Sequence, residues 1–295
     1  MKISDLIRQQ SEPFCSLEFF PPKNQEQWPA FYAMAARLKK ANPLFVSITY
    51  GAGGSTQDNT LEIATRLRQD LNFETLVHLT CVNSSREKIR AFMKKLEQAG
   101  IQNVLALRGD APAGEDFDWS SSEFHHASDL VTFVRQNFPD FCVGVAGYPH
   151  PHPESISFKI DRHFTRQKIM AGAGLVITQL IFDNREYFDF ADALKDLNID
   201  VPVLPGVLPI ISLESLRRTL AMCGANLPAQ LYFAMEEANE QGGAAAVREA
   251  GIEFAIEQCA ALLKAGAKGV HLYTLNQAET CLRIVGELRS RGLLP

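Results

Sequence analysis

The chain has 295 residues, 46% of them hydrophobic, and a formal net charge of -5. This size supports a large hydrophobic core, while the negative charge argues against general binding of nucleic acid or of an anionic membrane surface. The first residues lack the apolar core of a signal peptide, and no run approaches the roughly 20 apolar residues of a membrane span. The six cysteines show no CxxC pair or other short metal-ligand spacing. We therefore expect buried free thiols in a reducing cytoplasm.

Eight apolar runs predict the strands of the fold. In chain order they cover residues 15–20, 44–50, 75–81, 103–109, 142–148, 175–182, 201–207 and 269–275. Helix-like stretches rich in Leu, Ala, Glu, Lys and Arg separate most of them. Because parallel strands require such crossovers, the alternation predicts an α/β fold, the (β/α)8 TIM barrel, as a single domain over residues 1–295.

Two intervals depart from the regular plan. After the fourth run, a loop rich in Gly, Ser and acidic residues leads into a helix from Ala127 to Asn137, and long loops of this kind usually carry function in a barrel. The long interval before the last run predicts extra helices at 212–223, 228–240 and 244–265, with Gly242 and Gly243 as a joint.

Polar side chains interrupt several of the predicted strands. Glu18, His78, Arg108 and Gln179 lie in runs that are otherwise almost entirely apolar, where burial of a polar group has a desolvation cost. The carboxyl ends of barrel strands meet at one face, which is where TIM-barrel active sites lie. Function is therefore the leading explanation for these residues.

Glu18 is the first candidate for a proton donor. It lies in SLEFFPP between Leu17 and Phe19, and apolar neighbours are expected to raise the pKa of its carboxyl group. A carboxyl group with a raised pKa serves as a general acid near neutral pH. The structural alternative is a carboxylate paired with Arg108 or with a lysine.

Two glycine-containing segments are candidates for ligand contacts. In Arg108-Gly109-Asp110, the glycine would let a flat ligand approach the backbone and Asp110 would place a negative charge beside it, although an Arg-Asp pair at a turn is the alternative. The second segment, residues 50–55 with the sequence YGAGGS, precedes a helix and suits either an anion-binding nest or a flexible turn.

The segment YPHPHPES, residues 148–155, closes the fifth strand with prolines that restrict its backbone. His150 and His152 raise the possibility of a metal, but hydrogen bonding to a cofactor is the preferred interpretation. Gln179 would need partners for both ends of its amide, from a ligand or from neighbouring strands. Tyr273 and Gln277 are expected to line the same mouth from the eighth strand.

Eight segments, in order and across nearly the whole chain, are similar to those of one family. They are SLEFFPP, VSITYGAGGST, HLTC, LALRGDAP, YPHPHPES, AGAGLVITQLIFD, PGVLPI and HLYTLNQAE. Together they resemble the methylenetetrahydrofolate reductases. The resemblance implies a barrel that holds FAD and reduces 5,10-methylenetetrahydrofolate to 5-methyltetrahydrofolate with NADH or NADPH, by ping-pong kinetics. It also implies a cytoplasmic homo-oligomer in tetrahydrofolate interconversion and methionine biosynthesis, with no metal.

The resemblance also implies roles for individual residues. Glu18 would be the general acid, Asp110 would face both flavin and pterin, and Gln179 would contact folate and nicotinamide in turn. Tyr273 and Gln277 complete the expected substrate site. The positions expected to bind the cofactor are Thr49, Tyr50, Ala52, His78, Arg108, Gly109, Asp110, Ala127, Tyr148, His152, Ser155, Asp161 and Lys168, with Thr49 nearer the nicotinamide.

Four residues depart from the family pattern. Phe164 and Gln167 stand where polar and basic residues are frequent, Gln277 where an arginine often occurs, and Ser215 where a longer amide is found. They affect the diphosphate contacts and the grip on the folate glutamate tail. Two other interpretations stay open: a metal-assisted barrel hydrolase or lyase using His78, His150 and His152, and a barrel without catalytic activity that serves as a binding module.

Overall fold

The computed structural model describes residues 1–50, 57–111, 118–119 and 122–295, with Gln57 described by its backbone alone. Ala52, one of the expected cofactor contacts, lies outside these residues. So do the remaining glycines of the segment that begins at Tyr50.

Eight parallel strands close into a barrel in which each strand pairs with the next and β8 pairs with β1. They are β1 Phe14–Phe19, β2 Val46–Ile48, β3 Thr75–Thr80, β4 Asn103–Leu107, β5 Cys142–Gly147, β6 Leu175–Leu180, β7 Val203–Val207 and β8 Gly269–Tyr273. Each strand falls within, or overlaps most of, its predicted run. The predicted (β/α)8 barrel is confirmed.

Helices surround the barrel and follow the strands in alternation. They are α1 Ile3–Gln9, α2 Trp28–Leu38, α3 Gln57–Gln69, α4 Arg86–Gln98, α5 Ala127–Asn137, α6 Phe158–Met170, α7 Asn184–Asp196, α8 Leu213–Cys223, α9 Ala229–Lys264 and α10 Ala278–Ser290. The backbone of α9 leaves helical geometry at Gly242 and Gly243, as the predicted joint requires. No helix in the described residues is long and apolar enough to cross a membrane.

Local sequence explains where these helices begin. Ser85, Ser157 and Ser212 each accept a hydrogen bond from a backbone N–H in the first turn of α4, α6 and α8, and Asp183 does the same for α7. Such caps satisfy donors that have no partner within the helix. The caps of α6, α7 and α8 all stand at the carboxyl end of the barrel, so they fix the start of helices that border the site.

The barrel interior divides into an apolar end and a polar end. At the amino-terminal end, Ile3 and Ile7 of α1 pack with Phe14, Phe45 and Leu76 in one buried cluster. Further along the strands, register places Glu18 of β1 opposite Ser47 of β2 and Tyr273 of β8. Since α1 closes the opposite end, the polar residues face only the carboxyl mouth.

All six cysteines lie in the described residues as free thiols, and five of them are buried. This confirms the expectation of free thiols. Burial raises the pKa of Cys15, Cys81 and Cys281 to about 12, so these groups are protonated near neutral pH. Cys223, at the end of α8, is partly exposed.

We therefore predict that native protein reacts with iodoacetamide at Cys223 alone, because alkylation requires an accessible thiolate. Mass spectrometry should find one modified thiol per native chain and six after denaturation. The Cys223→Ser variant is the control and should remain unlabelled when native. Rapid labelling of that variant would contradict the burial of the other thiols.

Candidate active site

Glu18 lies in the barrel interior with three polar side chains from three other strands. Ser47 Oγ donates to Glu18 Oε2 at 3.2 Å, His78 Nε2 lies 3.3 Å from the same oxygen, and His271 Nε2 lies 3.8 Å from it. Glu18 is 6% exposed and His271 is fully buried. The carboxylate is therefore held within a polar cluster that is buried on the side facing the amino-terminal end of the barrel.

The structure corrects the expected pKa shift of Glu18. Burial raises the pKa of this carboxyl group, but hydrogen bonding and positive charge from His271 and His78 outweigh burial and lower the pKa to about 2. The sequence neighbours Leu17 and Phe19 point away into the apolar core, so the cross-strand neighbours decide the direction. The structural alternative, a pair between Glu18 and Arg108 or a lysine, is wrong, because Glu18 contacts Ser47 and His78 while Arg108 pairs with Glu154.

Gln179 lies at an irregularity between β6 and β7, where the pairing register shifts between Ile177 and Leu180. Its Oε1 accepts a hydrogen bond from the N–H of Leu180 at 2.9 Å. Nearby, Tyr273 Oη donates to the carbonyl of Thr178 at 2.7 Å. This contact needs Gly206, because an added Cβ there would lie 2.6 Å from the Tyr273 ring.

Arg108, Gly109 and Asp110 follow β4 at the same mouth. Gly109 has a φ of 80°, and an added Cβ would lie 2.8 Å from a methyl group of Val82, so glycine is required on both counts. Arg108 makes a bidentate ion pair with Glu154, with distances of 2.6 and 2.7 Å, rather than a pair with Asp110. Asp110 is exposed to solvent.

The loop after β5 is tied to α6 by a hydrogen bond to the buried Asp161. The N–H of His152 donates to Asp161 Oδ2 at 2.6 Å, and His152 Nδ1 accepts from the N–H of Glu154 at 3.1 Å. The His152 proton therefore lies on Nε2 when the ring is neutral. Burial, followed by the charge of Arg108, lowers the pKa of His152 and favours that neutral form. His152 also packs edge-on against Tyr148.

Lys168 lies behind Tyr148 and is only 9% exposed. Its Nζ donates to the carbonyl of Ala146 in β5 at 2.6 Å and lies 5.8 Å from the centre of the Tyr148 ring. Burial lowers the pKa of Lys168 to about 8, against the opposite influence of Asp161. A contact between Lys168 and a diphosphate stays a prediction.

The remaining expected residues lie around the carboxyl end of the barrel. Thr49 follows β2, Ala127 begins α5 and Ser155 precedes α6, while Gln277 precedes α10. Among the departures, Phe164 stacks on His126, and Gln167 contacts His163 on the same helix. Ser215 bonds to the cap residue Ser212 at the start of α8. Tyr50 packs edge-on against Phe92.

The three histidines of the metal alternative have separate partners. His78 contacts Glu18, His152 contacts Tyr148, and His150 Nδ1 lies 3.7 Å from Glu186. Within the described ranges, no three His, Cys, Asp or Glu side chains converge on a common metal-binding point.

His271, Ser47 and Ser16 were not among the site residues predicted from the sequence. Ser16 Oγ lies 2.8 Å from His271 Nδ1, and Ser47 Oγ lies 3.3 Å from His271 Nε2. A histidine inside the run GVHLYTL was the available signal, since it is as unusual there as Glu18 is in its own strand. Its contact with Glu18 depends on the pairing of β8 with β1 and could not be deduced from the run alone.

Comparison with known proteins identifies the family of the chain. The sequence model of the family described as methylenetetrahydrofolate reductase matches residues 2–289. The chain belongs to the methylenetetrahydrofolate reductase family.

Two curated relatives and one solved structure illustrate the similarity. The chain is 38% identical to "Methylenetetrahydrofolate reductase (NADH) 1" of Arabidopsis thaliana, covering all of this chain and 51% of that protein. It is 33% identical to the 5,10-methylenetetrahydrofolate reductase of Escherichia coli K12, covering 94% of this chain and 90% of that protein. The chain thus spans about half the length of its plant relatives and most of its bacterial one.

An uncharacterized protein from Clostridium thermocellum, which binds two copies of 5-methyl-5,6,7,8-tetrahydrofolic acid, has a similar fold. The TM-score is 0.66 at 15% identity, with 97% of this chain and 98% of that chain covered. At this identity the likeness concerns the fold alone.

The buried ammonium of Lys168 gives a prediction about stability. Because the folded pKa is about 8 and the ordinary value is 10.5, the unfolded chain binds more protons between these limits. The penalty for burying charged Lys168 is full below pH 8 and is relieved as the pH rises to 10.5. The unfolding free energy of the wild type, relative to Lys168→Met, should rise by up to about 3 kcal/mol across this window.

Urea titrations at pH 7, 9 and 10.5 would measure this difference. Lys94→Met, at an exposed position of α4, is the matched control and should show no such slope. A Lys168→Met difference that stays constant with pH would contradict the buried, pKa-shifted ammonium.

Proposed function

We propose that this chain is an FAD-dependent methylenetetrahydrofolate reductase that converts 5,10-methylenetetrahydrofolate to 5-methyltetrahydrofolate with electrons from NADH or NADPH. Family membership over residues 2–289 supports the proposal. The observation that carries it is the carboxylate of Glu18, buried at the carboxyl end of β1 beside Ser47 and His78. The folate-binding protein of similar fold is consistent with the same substrate class.

The chemistry of the mouth fits a flavin. Gly109 is partly exposed at the end of β4, His152 offers an Nε2 donor, and Arg108 would supply a cation on exchanging its Glu154 partner. FAD, when bound, would supply the chemistry of hydride transfer between the nicotinamide and the folate. We propose that it is held by Thr49, Tyr50, Ala52, His78, Arg108, Gly109, Asp110, Ala127, Tyr148, His152, Ser155, Asp161 and Lys168.

Glu18 is the proposed general acid. It donates its proton to the leaving nitrogen, one of the two nitrogens that the methylene bridge of the folate joins. The bond between that nitrogen and the methylene carbon breaks, which opens the five-membered ring and leaves a cationic iminium. With a pKa of about 2, Glu18 is ionised at neutral pH in the ligand-free arrangement. It must therefore take up a proton as the substrate displaces water, because added desolvation raises a carboxyl pKa.

Asp110 and Gln179 have proposed roles on the substrate side. Asp110 places a negative charge at the mouth, which favours a cationic intermediate of the folate. Gln179 offers an amide at the irregular end of β6, where it would orient folate in one half-reaction and nicotinamide in the other. Tyr273 and Gln277 complete the folate site. Because one site serves the two substrates in turn, ping-pong kinetics follow.

The setting of the enzyme is also proposed. Buried free thiols support a reducing cytoplasm, and the family resemblance supports a homo-oligomer in tetrahydrofolate interconversion and methionine biosynthesis. We propose that residues 1–295 form one catalytic domain. The NADH specificity in the plant relatives' names makes NADH the first nucleotide to test.

The visible spectrum of the purified protein tests the proposed cofactor and reaction together. We expect a flavin spectrum that bleaches anaerobically with NADH or NADPH and returns when methylenetetrahydrofolate is added. A colourless protein with stoichiometric zinc would instead support the hydrolase or lyase that uses His78, His150 and His152. A colourless, metal-free protein that binds no nicotinamide would support the binding module.

The Glu18→Gln variant tests the assignment of the acid. The substituted glutamine keeps the size of the side chain but cannot donate a carboxylic proton, so flavin reduction by NADH should stay within about threefold of wild type. Folate reduction should fall by at least about 100-fold, on the order expected for loss of a general acid. Stopped-flow measurement of each half-reaction separates the two effects. Equal losses in both would show that Glu18 has another role.

A further inference from the structure

A polar chain runs beneath Glu18 into the barrel interior. It leads from Glu18 Oε2 to Ser47 Oγ, from there to His271 Nε2, and from His271 Nδ1 to Ser16 Oγ, with distances of 3.2, 3.3 and 2.8 Å. His271 is fully buried and stacks on Phe45, with ring centres 6.0 Å apart and planes 18° apart. A leucine would fill such a position without the desolvation cost of an imidazole. The imidazole therefore needs a reason beyond packing.

The hydrogen-bonding capacity of the chain assigns the proton on His271. Ser47 has one hydroxyl proton and donates it to Glu18, so Ser47 Oγ must accept at its contact with His271 Nε2. His271 Nε2 therefore carries a proton. His271 Nδ1 lies 2.8 Å from Ser16 Oγ, and the Ser16 hydroxyl is also 3.4 Å from the carbonyl oxygen of Val270. Ser16 thus orients the imidazole ring so that its Nε2–H points towards Ser47 and Glu18.

The contacts of the carboxylate are one-sided. Within the described part of the chain, Ser47, His78 and His271 all approach Oε2 rather than Oε1. Donors at one oxygen hold the group in place and stabilise the charge that remains after a proton has left. Oε1 is then the oxygen from which a proton can reach a substrate.

We propose that His271 is a positioning residue for the general acid: its Nε2–H, oriented by Ser16, holds Ser47 and Glu18 Oε2 so that Oε1 presents the proton to the substrate. This inference rests on the proposed function of Glu18. In the step itself, the Oε1–H bond breaks as a bond from hydrogen to the leaving nitrogen forms. The carboxylate left behind keeps its partners at Oε2.

The groups around Glu18 determine the expected pH dependence. They are His78 on β3 and His271 and Tyr273 on β8, with the uncharged Ser47 on β2. Removing the donor at His271 removes an influence that lowers the Glu18 pKa. The Glu18 pKa should therefore rise, and the alkaline limb of the folate half-reaction should move to higher pH because the acid stays protonated for longer.

Two isosteric variants separate a hydrogen-bonding role from packing. In His271→Gln the amide nitrogen can occupy the place of Nε2, whereas in His271→Asn the shorter amide reaches only the place of Nδ1. The glutamine variant should keep the folate half-reaction within about threefold of wild type. The asparagine variant should slow it by about tenfold on the pH plateau where Glu18 is protonated, on the order of one lost hydrogen bond, while flavin reduction by NADH stays unchanged. Ser47→Ala, which removes a single hydroxyl group, should move the pH limb in the same direction.

A measurement without turnover distinguishes failure of this inference from failure of the proposed function. Carboxyl-labelled glutamate in the purified protein reports the titration of Glu18 by NMR, with Glu18→Gln identifying its signal. The midpoint should rise in His271→Asn and Ser47→Ala and return towards wild type in His271→Gln. Equal behaviour of the two His271 variants, or an unmoved midpoint, would overturn the role of His271. If the wild type fails to reduce folate while the variants show these shifts in the Glu18 midpoint, only the proposed function would be overturned.

Discussion

The burial of one carboxylate constrains the interior of this barrel. An isolated charge removed from water has a large desolvation cost, and Glu18 is 6% exposed. Its partners come from β2, β3 and β8, so three other strands must pair in the correct register for the charge to be stabilised. A register slip of one residue would turn Glu18 out of the interior and leave His271 without an acceptor. The register that closes the barrel is therefore also the one that builds the site.

The apolar end of the barrel contributes to the same site from a distance. Ile3 and Ile7 of α1 close the interior below Phe45, which in turn stacks on His271. These apolar side chains lie between the amino-terminal end of the barrel and the polar chain beneath Glu18. Because hydrogen bonds are stronger where water is excluded, this packing strengthens the contacts of the carboxylate. Packing and electrostatics here depend on each other.

Sequence alone was sufficient to predict the barrel, and it singled out Glu18 as a candidate. Strand runs are local patterns, and a glutamate within SLEFFPP stands out among its own neighbours. The direction of its pKa shift was wrong because successive residues of a strand point to opposite faces. Leu17 and Phe19 face the outer core, whereas Ser47, His78 and His271 share the interior with Glu18. Cross-strand neighbours become visible only when register is known.

The turn after β8 shows how closure of the barrel and placement of the acid depend on the same contacts. Leu275 and Asn276 both have positive φ, 45° and 57°, which is costly for residues with a side chain, above all for leucine. The strain persists because Asn276 bonds both the N–H and the carbonyl of Phe20, while Thr274 Oγ1 donates to the carbonyl of Glu18 at 2.6 Å. These contacts join the last strand to the first across the closing edge of the barrel, on the backbone that carries Glu18. The contacts that close the barrel thus also limit where the Glu18 carboxylate can move. A turn built from glycines would be less strained, but it would let the backbone at this edge of the barrel move more.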